Sequence, residues 1–277
     1  MDNLTNFEEL IKLLPYLVYI ALFSCFVLAF VKLIYERLAQ ERFTFFNLFH
    51  PVKSINAKER YFISSFLVPF QSFTPAQKKL FLKRFAWFKS KKSFVFYGDI
   101  ENKEEIKAYV SASAILMTLG LKNFRFENSI SRVIIYPSQY YSNIGKRHHI
   151  GEYNPRMKIL VFSAEDLKHG FKIPNDNKNL GLHEVAHALL FENRRKSTWE
   201  ARKFKVGLAK LGKVFNSEGF QQKMDSSEYL RDYAKTNFIE FFAVLVESFF
   251  ESPKDLEKEF PEFYFYLKKM LNYNMQR

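Results

Sequence analysis

A run of nineteen residues without a charged side chain lies close to the N-terminus of this 277-residue chain. The run extends from Leu13 to Val31 and reads LLPYLVYIALFSCFVLAFV. At about 1.5 Å per residue a helix of this length measures roughly 28 Å, close to the roughly 30 Å hydrocarbon core of a bilayer. The sequence therefore predicts a single transmembrane helix that binds the bilayer through residues 13–31, with the folded domain after it.

Two other interpretations of this run stay open. A secretory signal peptide needs a basic N-terminal region and a small-residue cleavage site, whereas this chain begins MDNLTNFEEL and its run ends in large apolar residues. A buried helix of a soluble domain is the second alternative. Lys12 precedes the run, and Lys32, Arg37 and Arg42 follow it. This excess of positive charge predicts that the C-terminal side of the run faces the cytoplasm.

Positive charge is concentrated beyond this run. The chain has 42 Lys and Arg against 29 Asp and Glu, which gives a net charge of +13. Residues 53–92 contain ten of the cations and one acid, Glu59. A basic segment beside a bilayer should bind the phosphate of anionic lipid, and a solvated basic face without a partner is the alternative. No nucleic-acid-binding motif is present, so we expect no nucleic-acid partner.

Strand-like and helical segments alternate through the rest of the chain. Thr74 and Gln77 form the pattern of a capping box, with Pro75 at the first helical position. The other predicted elements are strands at Phe94–Tyr97, Arg132–Tyr136 and Lys158–Phe162 and a helix at Glu104–Leu119. Strands and helices that mix without βαβ regularity predict an α+β fold. The predicted organisation is an anchor at 1–37, a basic connector at 38–60 and a catalytic domain at 61–277.

The chemistry is concentrated in the sequence HEVAH, residues 183–187. Side chains four residues apart project from one face of a helix, so His183 and His187 suit two neighbouring positions of a tetrahedral zinc ion. Glu184 lies beside the first of them, where it can act on a zinc-activated water without binding the metal. The alternative is an amphipathic core helix whose histidines bind no metal. Cys25 is the chain's one cysteine, which excludes a Cys-based zinc finger and an internal disulfide.

A catalytic zinc site with two histidines needs a third protein ligand. No histidine lies C-terminal to His187, so the third ligand should be a carboxylate. The apolar segment NFIEFFAVLVESFFESP offers Glu240 and Glu247, seven residues apart and on one helix face. We expect Glu240 to bind zinc, with Glu247 and Asn237 as supporting residues. The alternative is a capping box between Asn237 and Glu240 that is purely structural.

HEVAH, followed by YAKTNFIEFFAVLVESFF, resembles the Mlc titration factor A family of zinc metallopeptidases, which is related in its active-site arrangement to the catalytic domain of anthrax lethal factor. The resemblance covers residues from about 62 to 273. It implies a zincin-like domain that holds one Zn²⁺ per chain. The residues it implies are the ligands His183, His187 and Glu240, the general base Glu184 and a transition-state hydroxyl from Tyr233. Without the resemblance, Tyr233 would be interpreted as a core tyrosine.

Together these features predict a membrane-anchored zinc metallopeptidase that hydrolyses peptide bonds of a peptide or protein substrate. The expected location is the bacterial inner (cytoplasmic) membrane, with one span and a cytoplasmic catalytic domain. The alternative function is a binding protein with little or no catalysis that sequesters a cytoplasmic regulator, although an intact Glu184 argues against it. The strand at Lys158–Phe162 would pair with the substrate backbone if it lies at a sheet edge, and an internal position is the alternative.

Overall fold

Two units make up the chain, residues 1–51 and residues 52–277. The computed structural model describes residues 2–39, 52, 54–142, 146–226 and 229–273. The predicted connector at 38–60 is therefore described only in part. Arg42 and Lys53, which contribute to the predictions of orientation and of the basic segment, lie outside the described residues.

The first unit contains the helix α1 (Asp2–Ala39). Within this helix, the segment Lys12–Val31 is long and apolar enough to cross a membrane, and none of it is buried. Phe23, for example, is 70% exposed. By length and composition the segment fits a membrane anchor or a signal sequence, whereas a core helix of a soluble domain would be covered by protein.

The second unit begins with three helices, α2 (Ala57–Phe66), α3 (Val68–Gln71) and α4 (Pro75–Lys91). The capping box predicted at the start of α4 is present. The Thr74 side chain accepts a hydrogen bond from the Gln77 N–H, and the Gln77 side chain accepts one from the Thr74 N–H. Local sequence thus sets where this helix begins.

A mixed four-stranded sheet follows these helices. In chain order the elements of this region are β1 (Ser93–Phe96), α5 (Lys103–Thr118), β2 (Arg132–Tyr136), β3 (Tyr140–Ser142), β4 (Arg147–His149), β5 (Gly151–Asn154) and β6 (Ile159–Ser163). The strand order is β1-β2-β6-β5, with β5 antiparallel to β6 and the other neighbours parallel. A separate ribbon pairs β3 with β4. Because β6 is internal, the edge interpretation of the KILVF segment is wrong, and β5 forms the edge instead.

Helices make up the C-terminal half of the unit. They are α6 (Ala164–Lys172), α7 (Leu180–Arg194), α8 (Trp199–Phe215), α9 (Glu218–Ser226), a 3₁₀ helix at Asp232–Lys235, α10 (Phe238–Glu251), α11 (Pro253–Glu259) and α12 (Pro261–Met270). Helix α7 packs against α10 on one side and against β5, β6 and α5 elsewhere. All residues from Phe241 to Phe250 are buried. The result is a mixed helix-and-sheet domain whose central helix, α7, carries the HEVAH sequence.

Candidate metal centre

Helix α7 carries three titratable side chains close to its N-terminus, those of His183, Glu184 and His187. Asn179 caps the helix, because its Oδ1 accepts a hydrogen bond from the Leu182 N–H at 3.0 Å. His183, Glu184 and His187 are all buried, with 6–7% of each residue exposed. The helix therefore places both imidazoles on one face, one turn apart, inside the protein.

Three potential ligand atoms from α7 and α10 lie close together. The Nε2 atoms of His183 and His187 are 3.2 Å apart. The Oε2 atom of Glu240 lies 3.0 Å from the His183 Nε2 and 3.3 Å from the His187 Nε2. Zinc bonds of about 2.0–2.1 Å at tetrahedral angles place ligand atoms roughly 3.3–3.4 Å apart. Within the described residues this His–His–Glu group has the spacing and the donor types of a metal site.

Glu240 lies in the first turn of α10, where Asn237 is the N-cap. The Asn237 Oδ1 accepts hydrogen bonds from the N–H groups of Ile239 at 2.9 Å and Glu240 at 3.1 Å. The Glu240 Oε2 lies within 3.3 Å of the Nε2 atoms of both imidazoles. This geometry favours the metal ligand over the purely structural capping box, with Asn237 holding the main chain of Glu240.

Glu247 lies two turns further along α10 and is 1% exposed. Its Oε1 accepts a hydrogen bond from the His183 Nδ1 at 2.7 Å and another from the Arg231 guanidinium. Its Oε2 accepts from the Asn179 N–H at 2.7 Å. A carboxylate can only accept, so the His183 Nδ1 carries a proton, and loss of the Nε2 proton shared with Glu240 would leave the Nε2 lone pair facing the cluster.

Asn179 connects three elements. Its side-chain amide donates to the Gly170 carbonyl of α6 at 2.9 Å and to the Glu251 Oε1 of α10 at 3.1 Å. Its main-chain N–H binds Glu247, and its Oδ1 caps α7. The residue that begins the HEVAH helix therefore also fixes that helix to α6 and α10.

The charges of the cluster suit a cation. Burial raises the pKa of the Glu184 carboxyl above its ordinary value. Burial also favours the neutral forms of His183 and Glu240, but their mutual hydrogen bond and their other partners prevail, so the pKa of His183 rises and that of Glu240 falls. Three carboxylates, those of Glu184, Glu240 and Glu247, surround two imidazoles. Arg231 pairs with Glu247, and a metal ion bound at the imidazoles and Glu240 would compensate carboxylate charge that Arg231 does not.

An open cavity of about 520 Å³ lies beside the cluster, lined in part by His183, Glu184 and Tyr233. Tyr233 is 46% exposed, and the centre of its ring is 5.6 Å from that of His183. A core position for Tyr233 is therefore excluded. Gly151 of β5 also lines the cavity. A Cβ atom added there would lie 3.0 Å from the Glu184 Oε1, so the sheet edge runs directly past this carboxylate.

Two residues of the site were not found by sequence analysis. Asn179 had a readable signal, because an asparagine directly before an apolar helical segment is a common N-cap. Arg231 had none, since it lies outside any periodic segment and meets Glu247 only through the fold. Their contacts with Glu247 extend the site beyond the residues that the sequence pattern predicts.

A buried pair of histidines and a carboxylate, set beside an open cavity, has the donor set of a metal-dependent hydrolase. Residues 50–272 match the glucose-regulated metallo-peptidase M90 family, and this chain belongs to that family of metallopeptidases. The match confirms the resemblance to the Mlc titration factor A family. A protein of Synechocystis sp. that is described as uncharacterized is 23% identical over 221 residues, which cover 71% of this chain and 76% of that protein.

Proposed function

We propose that this protein is a membrane-anchored, zinc-dependent metallopeptidase of zincin-like fold that hydrolyses peptide bonds. One Zn²⁺ per chain would be held by His183, His187 and Glu240. The observation that carries the proposal is the separation of 3.0–3.3 Å between the three ligand atoms. Membership of a metallopeptidase family supports it.

The catalytic steps follow from the side chains around the cavity. A bound zinc ion supplies a Lewis acid that lowers the pKa of water toward about 7 and polarises the scissile carbonyl. Glu184 takes a proton from the attacking water and delivers it to the leaving amine. Its pKa is raised by burial, which makes it a better proton acceptor than an ordinary glutamate. Tyr233, exposed to the cavity, donates a hydrogen bond to the developing oxyanion.

The substrate is expected to bind along β5. This strand forms one edge of the sheet, and an extended peptide can add to such an edge through main-chain hydrogen bonds. The close approach of Gly151 to Glu184 would bring the paired peptide next to the general base. In this arrangement the substrate backbone would pair with the edge strand β5 and not with β6, which is internal.

The helix α1 is proposed as the membrane anchor. Support comes from the apolar segment Lys12–Val31, none of which is covered by protein. The proposed organisation keeps the anchor within 1–37, the connector at 38–60 and the peptidase domain at 61–277. By its Lys and Arg asymmetry the domain would lie on the cytoplasmic side of the bacterial inner membrane.

Substitution of Glu184 separates metal binding from catalysis. The variant Glu184→Gln should keep about one zinc per chain and lose hydrolysis of a peptide library by about 10²-fold or more, because the general base is removed. Tyr233→Phe should also keep the metal and slow hydrolysis, whereas the exposed Tyr61→Phe is the matched control and should change neither. Wild-type turnover in Glu184→Gln, with contaminating protease excluded, would remove this residue from the mechanism.

Membrane topology has its own test. A C-terminal reporter that functions only in the periplasm should stay silent, and the full chain should resist extraction of membranes with alkaline carbonate. A strong periplasmic signal would overturn the orientation. Release of the intact chain by carbonate would overturn the anchor but leave the peptidase proposal unaffected.

A further inference from the structure

Seven of the ten cations of the basic segment fall into two structural groups. Three of them point inward. Arg84 donates to two carbonyl oxygens at the end of α5, at 2.8 and 3.1 Å. Lys92 donates to two carbonyl oxygens of residues 126–130, at 3.0 and 2.6 Å, and Lys89 pairs with two glutamates. These three side chains stabilise the fold and are not available to a partner.

Four other cations line one groove between α2 and α4. They are Arg60, Lys78, Lys79 and Lys83, and the groove has a volume of about 640 Å³. Lys78 also donates one hydrogen bond, to the exposed Gln71 carbonyl at 3.1 Å, and still lines the groove. Among the described residues that line it there is no Asp or Glu. Like charges gathered in one concave surface repel each other and attract an anion. The groove therefore favours a negatively charged occupant.

The floor of the same groove is apolar. Ile55, Phe70, Leu82 and Ala86 contribute to its lining. The Lys78 Nζ lies 5.7 Å from the centre of the Phe70 ring, so charge and apolar surface are directly adjacent. A free phosphate would use only the cations. A phosphate joined to glycerol and acyl chains would use both surfaces.

We propose that this groove binds the headgroup of an anionic phospholipid. The choice of occupant follows from charge complementarity and from the apolar floor. It also follows from sequence connectivity, since the proposed anchor α1 precedes the groove in the same chain. In this respect the inference rests on the proposed anchoring, but it is independent of the peptidase chemistry.

The test uses the full chain, purified in a neutral detergent and titrated with phosphatidylglycerol or phosphatidylcholine, with bound lipid counted by native mass spectrometry. The wild type should bind phosphatidylglycerol in preference to phosphatidylcholine. The triple variant Lys78→Gln, Lys79→Gln, Lys83→Gln should lose affinity for phosphatidylglycerol on the order of 100-fold, at about fivefold per lysine. Equal binding of the two lipids by the wild type would contradict the proposal.

A matched control removes the same charge from exposed positions of α8. The variant Lys203→Gln, Lys210→Gln, Lys213→Gln should keep most of the affinity. An equal loss in both variants would show attraction by general surface charge and overturn the groove, as would unchanged affinity in the groove variant. Displacement of the lipid by an equal concentration of inorganic phosphate would show a phosphate site and overturn the lipid assignment.

Two further measurements keep the result interpretable. Zinc content and melting temperature of the groove variant should match the wild type. If the triple variant does not fold, Lys79→Gln alone, at an exposed position, should weaken phosphatidylglycerol binding about fivefold, and no change would again overturn the proposal. Because carbonate extraction tests the anchor separately, failure of the groove is distinguishable from failure of the anchor.

Discussion

Two apolar helices of this protein have opposite surroundings. Helix α10 is buried along the whole stretch from Phe241 to Phe250, whereas the segment Lys12–Val31 of α1 is not buried at all. Both are rich in Phe, Leu, Val and Ala. They differ in charge, because α10 carries Glu240, Glu247 and Glu251 and residues 13–31 carry no charged side chain. An apolar helix with carboxylates at regular spacing is covered by protein that supplies their partners, and one without them suits lipid.

The strongest test of this contrast places the same charge in each helix. Ala243 is fully buried in α10, and Ala243→Arg would bury an unpaired charge at a cost above about 4 kcal/mol. We expect loss of the folded domain. Ala21→Arg should cost about 2.5–3.5 kcal/mol of membrane insertion and leave the melting temperature of the domain unchanged.

Melting curves and membrane fractionation of both variants make this comparison. Ala21→Ser, which adds no charge, is the control for the first helix. A large fall in melting temperature for Ala21→Arg would show that α1 is stabilised by protein rather than by lipid, and the contrast between the helices would fail.

Glu240 and Glu247, two of the three carboxylates of α10, provide the next comparison. If Glu240 binds zinc, Glu240→Ala should lower zinc affinity by orders of magnitude, because a ligand is lost. Glu247→Ala should lower it only about 10- to 100-fold, as expected for a residue that orients a ligand. Zinc per chain and melting temperature, measured on both variants, distinguish the two roles.

The capping-box alternative predicts a different pattern. In that case Glu240→Ala would cost about 0.5–2 kcal/mol of stability and leave zinc in place. Full zinc occupancy in Glu240→Ala together with loss of zinc in Glu247→Ala would show that Glu247, and not Glu240, is the ligand.

The smallest expected effect concerns Glu251, the last residue of α10. Burial raises the pKa of its carboxyl to about 8, above the ordinary value of 4.5. Between these pH values the folded state keeps a proton that the unfolded state releases, so stability falls as pH rises through this window. Glu251→Gln should remove that fall and raise the melting temperature at pH 8.5 by about 2–4 °C for each kcal/mol recovered. The same scans on the exposed Glu165→Gln should retain the wild-type slope, and an unchanged slope in Glu251→Gln would contradict the assignment.

The sequence was most informative where structure follows from neighbours along the chain. The capping box at Thr74 marks the start of α4, and spacings of four and seven residues identified His183, His187, Glu240 and Glu247 as members of one site. These inferences use only a capping pattern or helical periodicity, each of which a single segment contains.

Strand order and long-range contacts were not accessible in the same way. The apolar KILVF segment gave a clear strand signal but no indication of its neighbours, and the edge strand Gly151–Asn154 is short and has no apolar alternation. The crossover from β1 through α5 to the parallel strand β2 is a βαβ unit that the sequence analysis did not predict. These features depend on pairings between distant segments, which the local sequence pattern does not reveal.

The hydrogen bonds of Asn179 have a consequence for the rotational setting of α7. A packed helix can turn about its own axis by small angles, and each turn would swing both imidazoles through the same arc. Asn179, the N-cap of α7, is hydrogen-bonded to the Gly170 carbonyl on one side and to Glu247 and Glu251 on the other. These contacts at the N-terminus of α7 restrict its rotation and so help to fix the direction in which His183 and His187 face Glu240.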